Sequence, residues 1–289
     1  MEKKQAVTLD NGNQMPALAY GTWKIENGPA TTEAVLQAVE AGYRHIDTAA
    51  AYGNDFASGK AVKKCGLLRD ELFITNKLWM AYGGYDETIT ACKRTLKLMK
   101  LEYLDAYLVH WPASPARYTD WEEKNLETWR GMEQLLREGL VKNIGVSNFL
   151  PVHLRSILEN ASVRPVLNQF EMHPGKKQEE LTAFCIQNRI CPMAWSPTGH
   201  GALLQNEVIQ RIAEETGKSP AQVCLKYVLE KGLSLVCRSV RRERMRENLE
   251  LFDFSLNPEQ MRAIDELEGI GDSGLHPDDP ELETKLTHL

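Results

Sequence analysis

Four titratable side chains of complementary chemistry stand at or just past the ends of short apolar runs. Asp47 closes RHID, Tyr52 follows it in the next loop, Lys77 lies late in LFITNKLW and His110 ends LDAYLVH. Singly, each has an ordinary explanation: Asp47 as a helix cap, Tyr52 as a packed ring, Lys77 as a surface cation, His110 as a satisfied core imidazole. As a set they specify a reaction. An ammonium beside a phenol favours the phenolate, drawing the tyrosine pKa from about 10 toward the working range of a general acid. A carboxylate keeps that ammonium charged and oriented, and an imidazole hydrogen-bonds the reacting oxygen. The set suits proton donation to a carbonyl whose oxygen gains negative charge. None of the four can give up a hydride, so a cofactor has to carry it.

The second half of the chain repeats the placement with neutral polar groups: Ser147-Asn148, Asn168-Gln169 and Trp195-Ser196. Amides and hydroxyls suit a carboxamide, and the Trp195 face suits a nicotinamide ring, although simple barrel packing explains Trp195 equally well. The sharpest charge signal is RSVRRERMR, which holds Arg238, Arg241, Arg242, Arg244 and Arg246 within a strand-to-helix crossing. Arginine forks at a helix start suit a phosphate. A solvated face paired with Glu243, Glu247 and Glu250 accounts for Arg242 and Arg246, which leaves Arg238, Ser239, Arg241 and Arg244 as phosphate candidates.

Such residues converge only if the elements carrying them point one way. Eight strand-like segments recur: ALAYGTW, RHIDTA, LFITNKLW, LDAYLVHW, VKNIGVSN, PVLNQFEM, CPMAWSP and LSLVCRSV. Amphipathic stretches separate them, including TTEAVLQAVEAG, where Val35, Leu36 and Val39 share a face and Gly42 serves as the stop. SPAQVCLKYVLEKG opens with a capping Ser219 and Pro220 at the first helical position. Ahead of them, Asn11-Gly12 suits a hairpin turn. Alternating strands and helices make either an open doubly wound sheet or a closed barrel. An open dinucleotide sheet shows GxGxxG after its first strand, and GTWKIENG lacks that spacing. The expected fold is therefore α/β, a closed eight-stranded parallel (β/α) TIM barrel, its site at the carboxyl ends of the strands.

The 289 residues are 43% hydrophobic and 26% charged, an ordinary globular composition. Lys and Arg total 34 against 40 Asp and Glu, a net charge of −6, which excludes general attraction to nucleic acid or an anionic membrane. No apolar run of about 18 residues is present, and MEKKQAVTLDNGNQMP lacks the core of a signal peptide. Six scattered cysteines without a CxxC pair point away from a disulfide framework or a zinc knuckle and toward a reducing cytoplasm, and no metal site is expected.

With these residues in hand, the chain strongly resembles the aldo-keto reductases, particularly bacterial members similar to diketogluconate reductases. GYRHIDTAAAYGN, NKLW, YLVHWP, GVSNF, NQFEMHP, AWSP and RSVRRERMRENL carry the resemblance, in family order, over nearly the whole chain. It implies a single barrel over 1–289, with a hairpin at about 7–18 closing its bottom and a tail at about 270–289 over the active-site mouth. That tail, rich in Gly, Pro and acidic residues, has the composition of a mobile segment. The implied activity is NADPH-dependent reduction of aldehydes or ketones. By position, Tyr52 becomes the general acid, Lys77 and Asp47 tune it, and His110 orients the carbonyl. Ser147, Asn148 and Gln169 would hold the carboxamide and Trp195 would stack on the nicotinamide. Arg238, Ser239, Arg241 and Arg244 would surround the 2′-phosphate, and Asn248 would meet the adenine. Thr22, Asp47, Ser196, Pro197, Thr198 and Val240 complete the implied cofactor contacts, and Trp23, Trp79, His110 and Trp111 line the implied substrate pocket. The chain departs from the family pattern at Cys237-Arg238, where Pro-Lys is usual, at Thr198 and at Asn76. Arg238 preserves the charge, so the resemblance implies NADPH, with NADH weaker. It also implies a small carbonyl substrate and a cytoplasmic monomer without nucleic-acid or membrane partners. Two rival readings are a Schiff-base aldolase-like barrel using Lys77 and a nucleotide-binding sensor without turnover.

Overall fold

The computed structural model describes residues 6–287. Residues 1–5 and 288–289, which the expected single unit and its tail include, lie outside the described residues. A two-stranded antiparallel hairpin pairs β1 (Ala6–Thr8) with β2 (Gln14–Pro16). Gly12, at a positive φ of 85°, makes the turn, its N–H reaching the Leu9 carbonyl at 2.8 Å. The hairpin is shorter than its sequence suggests, because Leu18 already opens the first barrel strand.

Eight strands follow: β3 (Leu18–Gly21), β4 (His45–Asp47), β5 (Phe73–Leu78), β6 (Ala106–Val109), β7 (Ile144–Ser147), β8 (Leu167–Glu171), β9 (Cys191–Trp195) and β10 (Ser234–Cys237). They pair in chain order, each parallel to the next, and β10 returns to β3 to close the barrel. All eight lie inside the apolar runs read from the sequence. Between them run α1 (Pro29–Ala41), α2 (Asp55–Lys64), α3 (Tyr85–Met99), α4 (Trp121–Arg137), α5 (Pro151–Asn160), α6 (Glu179–Gln187), α7 (Glu207–Thr216) and α8 (Pro220–Glu230). Three more helices come after β10: α9 (Arg242–Glu247), α10 (Pro258–Asp265) and α11 (Leu282–Thr287).

Local signals explain several boundaries. Ser219 caps α8 by accepting from the Gln222 N–H at 3.2 Å, with Pro220 in the first turn. Gly42, at φ 123°, ends α1, its N–H shared between the Ala38 and Val39 carbonyls. Val35 and Val39 bury against the sheet, while Leu36 sits half-buried at the edge of that face.

Apolar packing fills one end of the barrel and leaves the other free for chemistry. Leu9 and Met15 of the hairpin pack with Phe73, Ala106, Leu108 and Leu167 as a plug near the strands' amino ends. Asn11 and Asn13 both donate to the Asn143 side-chain oxygen, at 2.8 and 3.0 Å, pinning the hairpin there. The larger core lies between strands and helices. At the carboxyl ends, the tail crosses the mouth as expected, and it is docked: Arg117 donates to the Pro277 and Asp279 carbonyls at 2.6 and 3.1 Å, and His153 Nε2 lies 3.0 Å from Asp278. Its composition alone hid these contacts. Among the described residues no helix is long and apolar enough to cross a membrane.

Candidate active site

β4, β5 and β6 end side by side, and this register brings the four titratable groups together. The buried Lys77 Nζ donates to Asp47 Oδ1 at 2.5 Å and to the Thr48 carbonyl at 3.3 Å, and it lies 3.4 Å from the Tyr52 hydroxyl. Gln169, from β8 on the far side of the barrel, donates to the other Asp47 oxygen at 2.8 Å. Tyr52 comes from a single 3₁₀ turn after β4, and its ring meets His110 edge-on, the centroids 5.8 Å apart.

Charge states follow from burial. Desolvation works to lower the Lys77 pKa, but the Asp47 carboxylate and the neighbouring Tyr52 outweigh it and raise it, so the ammonium persists. His110 is pushed well below the ordinary histidine value by burial and by the Lys77 charge, leaving a neutral imidazole. Tyr52 corrects the expectation from sequence. Burial raises its pKa above 10.0, and Lys77 only opposes that rise, so the phenol stays protonated rather than acidified. Burial of the ring is the factor that spacing along the chain does not reveal. A protonated phenol is nonetheless the form a proton donor needs.

Above this cluster opens a cavity of about 1240 Å³ that runs to the arginine segment. Its walls include Asp47, Tyr52, His110, Trp23, Trp79 and Trp111, then Ser147, Asn148, Gln169, Trp195, Ser196, Pro197 and Thr198. Arg238, Ser239, Val240, Arg241, Arg244 and Asn248 line the far end. Three expected residues do not reach it, among them Asn168, whose buried amide donates to the Phe149 carbonyl at 2.9 Å. Lys77 lies behind Tyr52, and the buried Thr22 hydroxyl bonds Thr48 at 2.9 Å and Asn54 at 3.3 Å. The polar middle is pre-ordered: Asn148 donates to the His110 carbonyl at 3.0 Å and accepts from Trp195 Nε1 at 2.9 Å. Asn148 holds φ 61° to do so, a conformation asparagine tolerates.

At the arginine end, Arg242 pairs with Glu40 instead of with the glutamates of its own helix. Among the described residues Arg238, Arg241 and Arg244 have no carboxylate partner. Cys237, in place of the usual proline, sets its buried thiol 3.1 Å from the Tyr43 hydroxyl, and Tyr20 donates to the Ser239 carbonyl at 2.7 Å; together they brace this segment. Asn76 donates to Asp55 at 2.8 Å and accepts the Lys77 backbone N–H at 2.7 Å, while the Lys77 ammonium bonds Asp47, Thr48 and Tyr52 instead. Sequence reasoning missed Lys24, His200, Glu247, Ser273, Leu275 and Leu286 on the cavity wall. They sit in loops and the tail, or on a helix read only for its arginines, where no apolar period marks them.

Comparison with known proteins places the chain in a family. The model of the aldo/keto reductase family matches residues 17–268. Glyoxal reductase of Bacillus subtilis is 42% identical over 276 residues, spanning 96% of this chain and 97% of that protein. Methylglyoxal reductase DkgA of Escherichia coli K12 is 38% identical over 280 residues, 96% and 98% of the two chains. The structure of a Bombyx mori aldo-keto reductase in complex with NADP superposes with a TM-score of 0.83 at 34% identity, covering 90% of this chain and 91% of that one. The chain belongs to the aldo/keto reductase family and is an oxidoreductase acting on carbonyl groups.

Proposed function

We propose that this chain uses NADPH to reduce small aldehydes and ketones, with Tyr52 as the general acid. One observation carries the reading: Tyr52, Lys77 and Asp47 form a continuous hydrogen-bonded relay at one end of a cavity whose other end presents three arginines without carboxylate partners. The donor set fits the cofactor. Arg238, Arg241 and Arg244, with the Ser239 hydroxyl, would hold a 2′-phosphate, and Asn248 would meet the adenine. Ser147, Asn148 and Gln169 would hold the carboxamide, and Trp195 would stack on the ring. When bound, NADPH supplies the hydride.

The chain's own residues do the rest. His110, neutral, directs its ring toward the carbonyl oxygen and fixes its position beside Tyr52. As that oxygen gains charge, Tyr52 passes its hydroxyl proton to it, and the Lys77 ammonium steadies the phenolate left behind. Asp47 keeps Lys77 charged through the step, and Gln169 holds Asp47 in place. Trp23, Trp79 and Trp111 wall off water from the reacting end. These aromatic walls, and relatives named for glyoxal and methylglyoxal, favour small 2-oxoaldehydes as substrates. We extend the reading to a cytoplasmic monomer forming one functional unit over 1–289, with no nucleic-acid or membrane partner, in keeping with its net charge of −6.

Lys77 argues against the Schiff-base reading, since an amine held protonated by Asp47 is not a nucleophile. The test is a carbonyl panel with NADPH and NADH in parallel. Tyr52→Phe is expected to abolish NADPH oxidation while NADPH still quenches tryptophan fluorescence. Turnover surviving in Tyr52→Phe, a borohydride-trapped adduct on Lys77, or binding without oxidation across the whole panel would each overturn the proposal.

A further inference from the structure

Outside the tetrad, one buried carboxylate gathers more partners than any packing role requires. Glu171 ends β8 beside Trp195 and is only 3% exposed. Its Oε1 accepts from the Ser273 N–H at 3.0 Å, and its Oε2 accepts from the Ser273 hydroxyl at 2.6 Å and from Lys176 Nζ at 2.7 Å. Lys176 reaches on to Asp272 at 2.6 Å. From the opposite side, His200 Nε2 stands 3.4 Å from Oε1, with His173 Nε2 at 3.6 Å. Burial works to raise the Glu171 pKa, and these donors overcome it and hold the carboxyl well below the ordinary range.

Lys176 and His173 lie on the loop that continues from Glu171's own strand; the remaining partners belong to two separate flaps. Ser273 and Asp272 lie on the C-terminal segment that covers the substrate end, where Ser273, Leu275 and Leu286 form cavity wall. His200 lies on the loop after β9, whose Thr198, Gly201 and Leu204 form wall beside Trp195. His200 also touches Ser196 Oγ at 3.1 Å, and its ring meets Trp23 edge-on at 5.9 Å and Trp195 at 6.3 Å. A second, independent feature joins the same flaps. Gly271 of the tail lies so close to Gly199 of the loop that a Cβ on Gly271 would stand 2.5 Å from the Gly199 carbonyl oxygen. Both glycines hold positive φ, 76° and 55°. The flaps thus meet backbone to backbone directly beside the carboxylate that both address.

We propose that Glu171 is a positioning residue coupling the loop over the cofactor to the tail over the substrate, so that the two flaps close on the site as one unit. The naming of the two ends rests on the NADPH-dependent reading above; the coupling itself does not. Polar groups sharing one buried carboxylate fix its position jointly, Ser273 through two hydrogen bonds and His200 through a ring nitrogen 3.4 Å away, so losing either one loosens the hold on the other flap. Ordering of the β9 loop by one ligand then pre-orders the tail for the next.

The test uses the full chain and two single substitutions on opposite flaps, Ser273→Ala and His200→Ala, with their double variant. Hydrogen exchange without ligand is expected to rise in residues 196–205 of Ser273→Ala, although its side chain bonds Glu171 and not that loop, and in 269–275 of His200→Ala. NADPH titrated against tryptophan fluorescence is expected to bind several-fold to about tenfold more weakly in Ser273→Ala, with the double variant weaker than wild type by much less than the product of the two singles. Exchange rising only in the mutated flap, together with multiplicative effects on NADPH affinity and substrate KM, would overturn the coupling. If wild type binds no NADPH, the functional reading fails, and the exchange arm still decides the coupling. Glu171→Gln is expected to loosen both flaps together; should it fail to fold, the two-flap cycle stands without it.

Discussion

Replacing Asp47 with asparagine isolates what the buried ion pair does. The substitution keeps the shape but removes the charge facing Lys77, whose side chain is 1% exposed against 3% for Asp47. It also sets an amide N–H₂ toward either Lys77 or the Gln169 amide that now donates to Asp47, so one donor loses its acceptor. Removing one partner of such a pair leaves an uncompensated buried charge, a loss of about 3–5 kcal/mol. Against a total stability of about 5–15 kcal/mol, that is a large fraction. Urea titration followed by tryptophan fluorescence reads it as a fall in midpoint with an unchanged slope. The pH dependence has a definite sign. In wild type the folded Lys77 pKa is raised, so the pair's contribution is fully present below the ordinary lysine value and is lost only as pH climbs through the raised one. In Asp47→Asn the main opposition to burial is gone and only Tyr52 still works against it, so that pKa is expected to fall, the unfolded chain binds the extra proton, and the variant regains stability as pH rises toward the lysine range. The deficit at about pH 9.5 should therefore be smaller than at about pH 7. A deficit below about 1 kcal/mol, or one that grows with pH, would refute the account of Lys77 as an ammonium held charged by Asp47.

Two further outcomes are expected. Arg238→Ala and Arg244→Ala should each weaken NADPH binding roughly tenfold while barely changing NADH, whereas Arg242→Ala, which loses only its Glu40 pair, should leave NADPH affinity intact; equal losses for both cofactors would remove the 2′-phosphate assignment. Gly59→Ala in α2 should lower the melting temperature: a Cβ there would stand 2.2 Å from the Met99 carbonyl oxygen, and the clash, about 1–3 kcal/mol, exceeds the helix-propensity gain of about 1 kcal/mol, so a raised melting temperature would show that α2 and α3 can separate freely.

The barrel was legible because each strand, buried on both faces, writes itself as an apolar run, and the tetrad because polar residues interrupt those runs at one end. Helices α2, α5, α7, α10 and α11 are not among the helical stretches read from the sequence. Gly59 in α2 weakens the helical pattern for the sake of close contact with Met99, and α5 is short and opens with Pro151 after a loop. Position along the chain also misleads about environment. Lys77 near Tyr52 suggested an acidified phenol, but the ring's burial, created by packing, reverses the sign. Thr22 stands next to Trp23, yet the strand turns its hydroxyl toward Thr48 and Asn54.

Glu171 marks where reading from sequence stops in principle. Its segment, NQFEMHP, is as visible as any, and the residue sits at a strand end like Asp47 and His110. What distinguishes it is its set of partners, and Ser273 lies 102 residues further along in a tail whose Gly, Pro and acidic content carries no helical or strand period. Asp47 and Lys77 come from neighbouring strands, so the barrel's chain order alone makes them meet. The loop after β9 and the tail follow no such order, and their meeting is decided by Gly199 against Gly271 and by one shared carboxylate. In a fold whose strands are fixed by pattern, the residues that chain order brings together are readable in advance. Those brought together by loops become visible only once side chains have coordinates, and coupling between flaps resides among them.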